Sequence, residues 1–201
     1  MTILISSMQN FFKRLSLSFT KESGLAGFFF FLVLCSWYIL RPVRNEMAVQ
    51  NSDILPYLLG IGAFVMLLLN PIYSWLASRR NLKGVLVGCY SFFILNLLVF
   101  ILLWKFFNLS SAIWQSQIFY IWCNVYSFFV VSIFWVVIIN LFRGEGAAIF
   151  FGVIAAGGSL GAFLGSEISK QLASTFNESG IIFFTLISII FLMLALATGL
   201  I

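Results

Sequence analysis

The chain has 201 residues, of which 62% are hydrophobic and only 8% are charged. Its mean hydropathy of +1.10 is too high for a soluble domain of this size, because so much apolar surface cannot be buried in one core. The formal net charge of +5 comes from dispersed lysines and arginines, a pattern that excludes a basic nucleic-acid-binding face. The composition therefore predicts a protein whose solvent is lipid.

Long apolar stretches follow one another along the chain, with short connections between them. A helix needs about 20 apolar residues to cross the hydrocarbon region of a bilayer, and each stretch is close to that length. The stretches cover residues 24–40, 54–77, 82–104, 112–142, 147–172 and 180–201. We predict an all-α polytopic membrane protein, with a cytoplasmic N-terminal segment at residues 1–23 and one six-helix bundle at residues 24–201.

The basic residues between the stretches predict the orientation, because cytoplasmic connections carry an excess of lysine and arginine. Placing both ends in the cytoplasm leaves seven basic residues inside and four outside. The inside set is Lys13, Arg14, Lys21, Arg79, Arg80, Lys83 and Arg143, and the outside set is Arg41, Arg44, Lys105 and Lys170. We therefore expect both termini on the cytoplasmic side.

The connections are too short to hold a folded domain, so function must come from side chains inside the bundle. The three cysteines, Cys35, Cys89 and Cys123, lie inside predicted helices, and the chain has no histidine. This pattern favours neither a disulfide framework nor a metal site, and no nucleophile is paired with a base. We expect no enzyme activity, no catalytic residue, no metal and no cofactor. The expected partners are the lipid bilayer and a small solute, not nucleic acid.

Polar residues at the end of the first stretch form the first candidate site. A helix that continues past residue 40 would carry Arg41 and Arg44 on one face, and Pro42 is expected to kink it. Two guanidinium groups suit an anionic solute, because each offers two parallel hydrogen-bond donors. The alternative is that both arginines anchor the helix at the lipid headgroups or pair with Glu46. We predict a substrate-binding or gating set of Arg41, Arg44, Glu46 and, from the fourth stretch, Asn124.

The fifth stretch carries glycines at a four-residue spacing. Gly157, Gly161 and Gly165 lie on one helical face, so a neighbouring helix can approach closely along them. We predict that they pack two helices together, and the alternatives are a moving hinge or a cavity wall. Glu167 and Lys170 are three residues apart near the end of this stretch, and we expect them to pair.

Three segments of the chain have long and unusual sequences. They are YILRPVRNEM at residues 38–47, FFVVSIFW at residues 128–135 and FGVIAAGGSLG at residues 151–161. These segments resemble the bacterial major facilitator transporters related to the ATP/ADP (NTP/NDP exchange) translocases. The resemblance implies that the chain corresponds to the first six of twelve helices, in which two bundles rock about a midplane site.

The same resemblance implies a second six-helix half. That half would come from a second copy of the chain, from a separate polypeptide or from a continuation of this one. The sixth stretch still runs at residue 201, which favours the continuation.

The connection between the second and third stretches departs from the family pattern. Related transporters carry a charged signature there that includes an aspartate, and it acts as a gate on the cytoplasmic side. Arg79 and Lys83 match that signature, whereas Ser78 replaces the aspartate and Asn81 replaces a glycine. We predict an inner gate loop formed by Arg79, Arg80 and Lys83, with its usual carboxylate missing.

The leading hypothesis is a membrane transporter, or half of one, that moves a small anionic or nucleotide-like solute by alternating access. Its expected location is the bacterial inner membrane. The alternative is a non-transporting membrane scaffold, or an inactive truncated transporter, that binds partner membrane proteins through the glycine face of the fifth stretch. That alternative depends on the missing aspartate at position 78 and on the missing second half.

Overall fold

The computed structural model describes residues 20–107, 113–142, 147–175 and 180–201, and these ranges contain no β-strand. The helices are α1 Lys21–Gln50, α2 Leu55–Ala77, α3 Leu82–Phe107, α4 Ile113–Leu141, α5 Ala147–Thr175 and α6 Gly180–Gly199. A single 3₁₀ turn at Ser52–Ile54 joins α1 to α2. All six helices are long and apolar enough to cross a membrane. The predicted all-helical class is confirmed, and the six helices indicate a multi-pass membrane protein.

Five of the six helices end close to the predicted boundaries, and α1 is the exception. It begins at Lys21, inside the predicted N-terminal segment, and continues ten residues beyond residue 40. The early start has a local cause, because Thr20 and Ser23 form a capping box. The Ser23 N–H donates to Thr20 Oγ1 (3.2 Å), and the Thr20 N–H donates to Ser23 Oγ (3.1 Å). Helix α1 therefore starts three residues before the first predicted stretch.

The continuation of α1 through Pro42 depends on a neighbouring helix. Proline has no N–H, so the carbonyl of Tyr38 loses its usual partner four residues on. The hydroxyl oxygen of Ser169 on α5 lies 3.1 Å from that carbonyl oxygen, and it lies 2.8 Å from the Gly165 carbonyl of its own helix. Beyond the proline, Val43 and Met47 are buried, so the extra turns also pack into the core. The helix can therefore run past a residue that usually ends one.

The basic residues that predict the orientation are described only in part. Lys13, Arg14 and Arg143 lie outside the described residues. Arg79 and Arg80 lie in the connection between α2 and α3. The orientation of the chain in a membrane therefore stays a prediction.

Helix α1 is the centre of the bundle. It packs most extensively on α5, then on α6 and α4. Helix α4 in turn packs on α1, α3 and α2, and α3 packs on α6. The fully buried aromatic side chains include Phe119, Tyr90 and Tyr126, which lie where α3 and α4 meet the rest of the core.

The helix pairs that pack together are nearly the same when α1, α2 and α3 exchange places with α4, α5 and α6, respectively. The α1–α5 contact becomes the α4–α2 contact, α1–α6 becomes α4–α3, and α1–α4 and α3–α6 each map onto themselves. Among the principal packing pairs of the described helices, only α5–α6 lacks an equivalent. The bundle is therefore assembled from two three-helix units that pack by nearly the same scheme.

The directions of the helices follow the same exchange. Helices α1 and α5 run parallel, because Gly27 faces Gly157 and Phe31 faces Gly161. Their equivalents α4 and α2 also run parallel: Gly62 lies beside Asn124, and the Tyr73 ring meets the Phe128 ring farther along both helices. Helices α1 and α4 run antiparallel, because Ser36 lies beside Tyr126 and Asn51, beyond the end of α1, lies beside Ser116 near the start of α4.

Candidate functional site

Arg44 extends from α1 toward the middle of α4. Its Nη1 donates to Asn124 Oδ1 at 3.0 Å, and its Nη2 donates to Asn45 Oδ1 at 3.0 Å. The guanidinium carbon lies 5.8 Å from the centre of the Trp37 ring and 5.6 Å from that of the Tyr120 ring. Both distances suit a cation–π contact. We call Arg44, Asn124, Trp37 and Tyr120 the arginine site.

The positive charge of Arg44 has no carboxylate partner in the described part of the chain. The one ion pair there joins Lys170 Nζ and Glu167 Oε2 at 3.8 Å, which confirms the pair predicted from their spacing. The Nε atom of Arg44 is buried and makes no hydrogen bond. A cation within a bilayer is costly unless it is paired or solvated. The site therefore holds an uncompensated charge and an unused donor, which together suit an anion.

The arginine site lies well inside the bundle. Asn124 is eleven residues from the start of α4 and seventeen from its end. At about 1.5 Å per residue, these separations are roughly 16 Å and 26 Å along the helix. Arg44, Trp37 and Asn124 are each half-buried, whereas Tyr120 is buried. The site thus lies on a partly open face of α1 and α4, and along α1 it is six residues, or roughly 9 Å, from the helix end at Gln50.

The other two members of the predicted set do not join this site. Arg41 is exposed, and its guanidinium lies 5.3 Å from the ring centre of Tyr38. Glu46 is also exposed, and its Oε1 accepts a hydrogen bond from Gln50 Nε2 at 3.4 Å. Of the residues predicted to bind substrate, the structure brings together only Arg44 and Asn124.

The two aromatic side chains of the site were not predicted from the sequence, although their spacing from Arg44 and Asn124 places them on the same helical faces. Trp37 lies seven residues before Arg44, which is two helical turns along the same face of α1. Tyr120 lies four residues before Asn124, one turn away on α4. Both rings therefore lie one or two helical turns from a polar residue that the sequence singles out.

Two hydrogen-bonded clusters fix α1 on either side of the arginine site. In the first, Ser36 Oγ lies 2.6 Å from the Tyr126 hydroxyl and 2.8 Å from Ser188 Oγ, so α1, α4 and α6 meet at one buried point. In the second, Asn51 Nδ2 donates to Ser116 Oγ at 2.6 Å, and Gln117 Nε2 donates to Asn51 Oδ1 at 3.1 Å. The site therefore lies on a length of α1 that is held at both ends.

The glycine face of α5 lies against the backbone of α1. A Cβ atom added at Gly157 would collide with the carbonyl oxygen of Gly27, and one added at Gly161 would collide with that of Phe31. At Gly165 the added atom would lie 2.9 Å from the Cys35 carbonyl oxygen. The two backbones touch along this line, as small residues allow in membrane helices.

The three predicted gate residues have different surroundings and do not form one cluster. Lys83 Nζ donates to the Leu200 carbonyl at 2.8 Å, just after the end of α6. The Arg79 guanidinium lies 3.8 Å from the ring centre of Trp75, and Arg80 is exposed. Asn81, which replaces the glycine of the family signature, caps α3: its Oδ1 accepts the Gly84 N–H at 2.9 Å. The cap explains why a helix starts immediately after this connection.

The described ranges contain all three cysteines. Cys35, Cys89 and Cys123 are all buried free cysteines. Those ranges contain no cluster of three or more cysteine or carboxylate side chains that could hold a metal ion.

In the part of the chain that the structure describes, the fold and the site define an all-helical protein with six potential membrane spans and an arginine inside the bundle that pairs with no carboxylate of those residues. No known protein family, no curated protein and no solved structure matches this chain. The resemblance to major facilitator transporters therefore gains no support from these comparisons. Its function has to be argued from the arginine site and from the arrangement of the helices.

Proposed function

We propose that the chain is a transporter, or one half of a transporter, that moves a small anionic solute by alternating access. The observation that carries the proposal is Arg44, a cation within the bundle that has an unused Nε donor and no carboxylate partner among the described residues. Intramembrane charges of this kind commonly mark substrate or ion pathways.

The chemistry of the site favours an oxyanion. A guanidinium binds carboxylate and phosphate oxygens with directed, charge-assisted hydrogen bonds, and no carboxylate of the described residues occupies the Arg44 guanidinium. Trp37 is half-buried and borders the Arg44 guanidinium. An aromatic face of this kind can stack on a planar base, which extends the proposed solutes to nucleotide-like anions.

The position of the site also favours transport. Arg44 lies on α1 and Asn124 on α4, the two helices that the exchange of three-helix units maps onto each other. Transporters built from inverted repeats place their substrate near the bilayer midplane, at the interface between the repeats. We propose that a second six-helix half closes the open face, that both termini are cytoplasmic and that the membrane is a bacterial inner membrane.

The scaffold alternative loses the surface on which it was based. The face of Gly157, Gly161 and Gly165 is covered by α1 of the same chain. A partner membrane protein would therefore have to bind elsewhere, so transport remains the better-supported proposal.

The test compares two neighbouring arginines. The full chain, alone and together with any co-encoded second half, is reconstituted in liposomes, and uptake of labelled phosphate and labelled ADP is measured. Equilibrium binding of the same two anions to the purified chain is measured in parallel. Arg44→Gln should lower both signals at least about tenfold, because a hydrogen bond to a charged group contributes about 1.5–3 kcal/mol.

Arg41→Gln is the matched control, because Arg41 is exposed and lies outside the arginine site. It removes the same charge one turn away and should leave uptake and binding within about twofold of wild type. Equal binding by the wild type and Arg44→Gln would remove the arginine site from the mechanism. Equal losses in the two variants would indicate a general effect of surface charge instead.

A further inference from the structure

A deep apolar groove separates α2 from α3. Its volume is about 840 Å³, and α4 forms its floor. The groove exists because α2 packs mainly on α4, which leaves the space beside α3 unfilled. The side chains that line its length are almost all apolar, and they include Val65, Leu69, Ile72, Phe92, Phe93 and Ile121. We call this space the α2–α3 groove.

The groove runs along the direction of a lipid chain. On α2 its lining extends from Val65 to Arg79, which is roughly 21 Å at about 1.5 Å per residue. One leaflet contributes about half of a hydrocarbon core that is about 30 Å thick. The groove is therefore long enough to receive an acyl chain over the depth of one leaflet. An empty apolar space of this size would forfeit the dispersion contacts of its walls.

The polar end of the groove is basic. Arg79 lines that end with its guanidinium stacked on Trp75, and the next residue, Arg80, is exposed. In the described part of the chain, neither arginine pairs with a carboxylate. Tryptophan is enriched at the level of the lipid headgroups, and basic pockets between transmembrane helices bind anionic headgroups. The end of the groove thus offers positive charge where a lipid phosphate would lie.

We infer that the α2–α3 groove is a binding site for an anionic glycerophospholipid. One acyl chain lies between α2 and α3, and the phosphate lies at Arg79 with Arg80 beside it. The acyl chain fills the space between α2 and α3, so that each helix packs against the lipid. This site is separate from the arginine site and does not depend on the proposed transport.

The chain offers a matched pair of glycines for testing the acyl-chain part of the site. Gly88 lines the groove and has no atom within 4 Å of an added Cβ, so Gly88→Phe should fill the groove without disturbing the backbone. Gly60 on α2 is equally open but lies outside the groove, so Gly60→Phe is the control. For the headgroup part, Arg79→Gln is compared with Lys105→Gln, an exposed basic residue at the other end of α3.

The measurement is native mass spectrometry of the full chain, purified in mixed micelles that contain equal amounts of phosphatidylglycerol and phosphatidylcholine. A phosphatidylglycerol with a diazirine on its acyl chain is crosslinked in parallel, and the labelled residues are mapped. We expect one retained phosphatidylglycerol and labelling of groove residues such as Phe92. Arg79→Gln should lower retention about fivefold, since a basic residue near a membrane surface contributes about 1 kcal/mol toward an anionic lipid.

Gly88→Phe should abolish both retention and groove labelling, while Gly60→Phe and Lys105→Gln should behave as the wild type does. Equal retention of phosphatidylglycerol and phosphatidylcholine would overturn the anionic selectivity. Unchanged labelling in Gly88→Phe would overturn the site itself. Circular dichroism of each variant distinguishes a filled groove from a misfolded chain, and Gly88→Leu provides a smaller filling residue if the phenylalanine variant fails to fold.

Discussion

The α1–α5 contact and the α2–α4 contact occupy equivalent places in the two three-helix units, yet they are packed very differently. In its most apolar part, α1 has 61% of its residues buried and its equivalent α4 has 44%, and the corresponding fractions are 22% for α5 and 11% for its equivalent α2. The backbones of α1 and α5 touch at Gly157 and Gly161. Helix α2 meets α4 at ordinary van der Waals distance, with an added Cβ at Gly62 lying 3.8 Å from Asn124 Nδ2.

One packing scheme therefore gives two different sides. We call the α1–α5 contact the fixed side and the α2–α4 contact the loosely seated side. Lipid is as apolar as a leucine side chain, so helices associate in a bilayer mainly through close packing and hydrogen bonds. The α1–α5 side has both, because the glycine line and the Ser169 hydroxyl join the same two helices. The α2 side has aromatic contacts and the α2–α3 groove. The arginine site lies between these two sides.

The largest expected effect comes from adding one carbon to the fixed side. In Gly161→Ala the new Cβ would collide with the Phe31 carbonyl oxygen, so the α1 and α5 backbones must separate. We expect the free energy of unfolding to fall by about 3 kcal/mol, the upper end for an overpacked core. A denaturing-detergent titration in mixed micelles, followed by far-UV circular dichroism, measures this change.

Gly152→Ala is the control for that substitution on the same helix. Gly152 has no atom within 4 Å of an added Cβ, so only helix propensity changes there. We expect no loss of stability. A similar loss in both variants would show that the close contact at Gly161 is not what holds α5 to α1.

A smaller loss is expected from the buried hydroxyl cluster on the same side. Ser36→Ala removes the group that bonds Tyr126 and Ser188, and it leaves two buried hydroxyls without that partner. The expected loss in unfolding free energy is about 1.5 kcal/mol, near the upper limit for hydrogen bonds between membrane helices. The same detergent titration applies. Ser159→Ala is the control, because the Ser159 hydroxyl is exposed and bonds only a carbonyl of its own helix; equal losses would remove the cluster from the comparison.

The next prediction concerns the contact between Ser169 of α5 and the Tyr38 carbonyl, which Pro42 leaves without an N–H partner in α1. Ser169→Ala leaves the Tyr38 carbonyl without its 3.1 Å donor and should cost about 1 kcal/mol of unfolding free energy. In a Pro42→Ala background, the new N–H of residue 42 can bond that carbonyl within α1. The cost of Ser169→Ala should then fall below about 0.5 kcal/mol, and a double-mutant cycle measures the coupling. Additive losses would show that Ser169 does not compensate for the proline.

The proline also shows why part of the fold could not be predicted from the sequence. Five helices end where charges, glycines or polar runs interrupt the hydropathy, and these signals are local. The hydropathy of the first stretch predicts an end before Arg41 and Pro42, because those residues usually stop a transmembrane helix. The hydroxyl that lies 3.1 Å from the freed Tyr38 carbonyl belongs to Ser169, 131 positions away in the chain. No local pattern reports such a partner.

The candidate site, like the fold, could be predicted from the sequence only in part. Arg44 and Asn124 could each be singled out from the sequence, because polar groups are rare inside apolar stretches. Arg44 bonds Asn124, which lies 80 positions away, whereas Arg41 stays exposed, and no local pattern distinguishes the two arginines. The α2–α3 groove was not predicted at all, because hydropathy reports which residues face apolar surroundings and not whether helix or lipid supplies them.

The smallest expected effect is at Gly62, the place where α2 approaches the arginine site. An added Cβ at this position lies 3.8 Å from Asn124 Nδ2, which is an ordinary contact that α2 can accommodate. Gly62→Ala should therefore change the free energy of unfolding by less than about 0.5 kcal/mol, since helix propensity offsets the small crowding. Measured beside Gly161→Ala under the same conditions, it compares the two equivalent interfaces directly. A loss as large as that of Gly161→Ala would mean that α2 is held as closely as α5, and the contrast between a fixed and a loosely seated side would then fail.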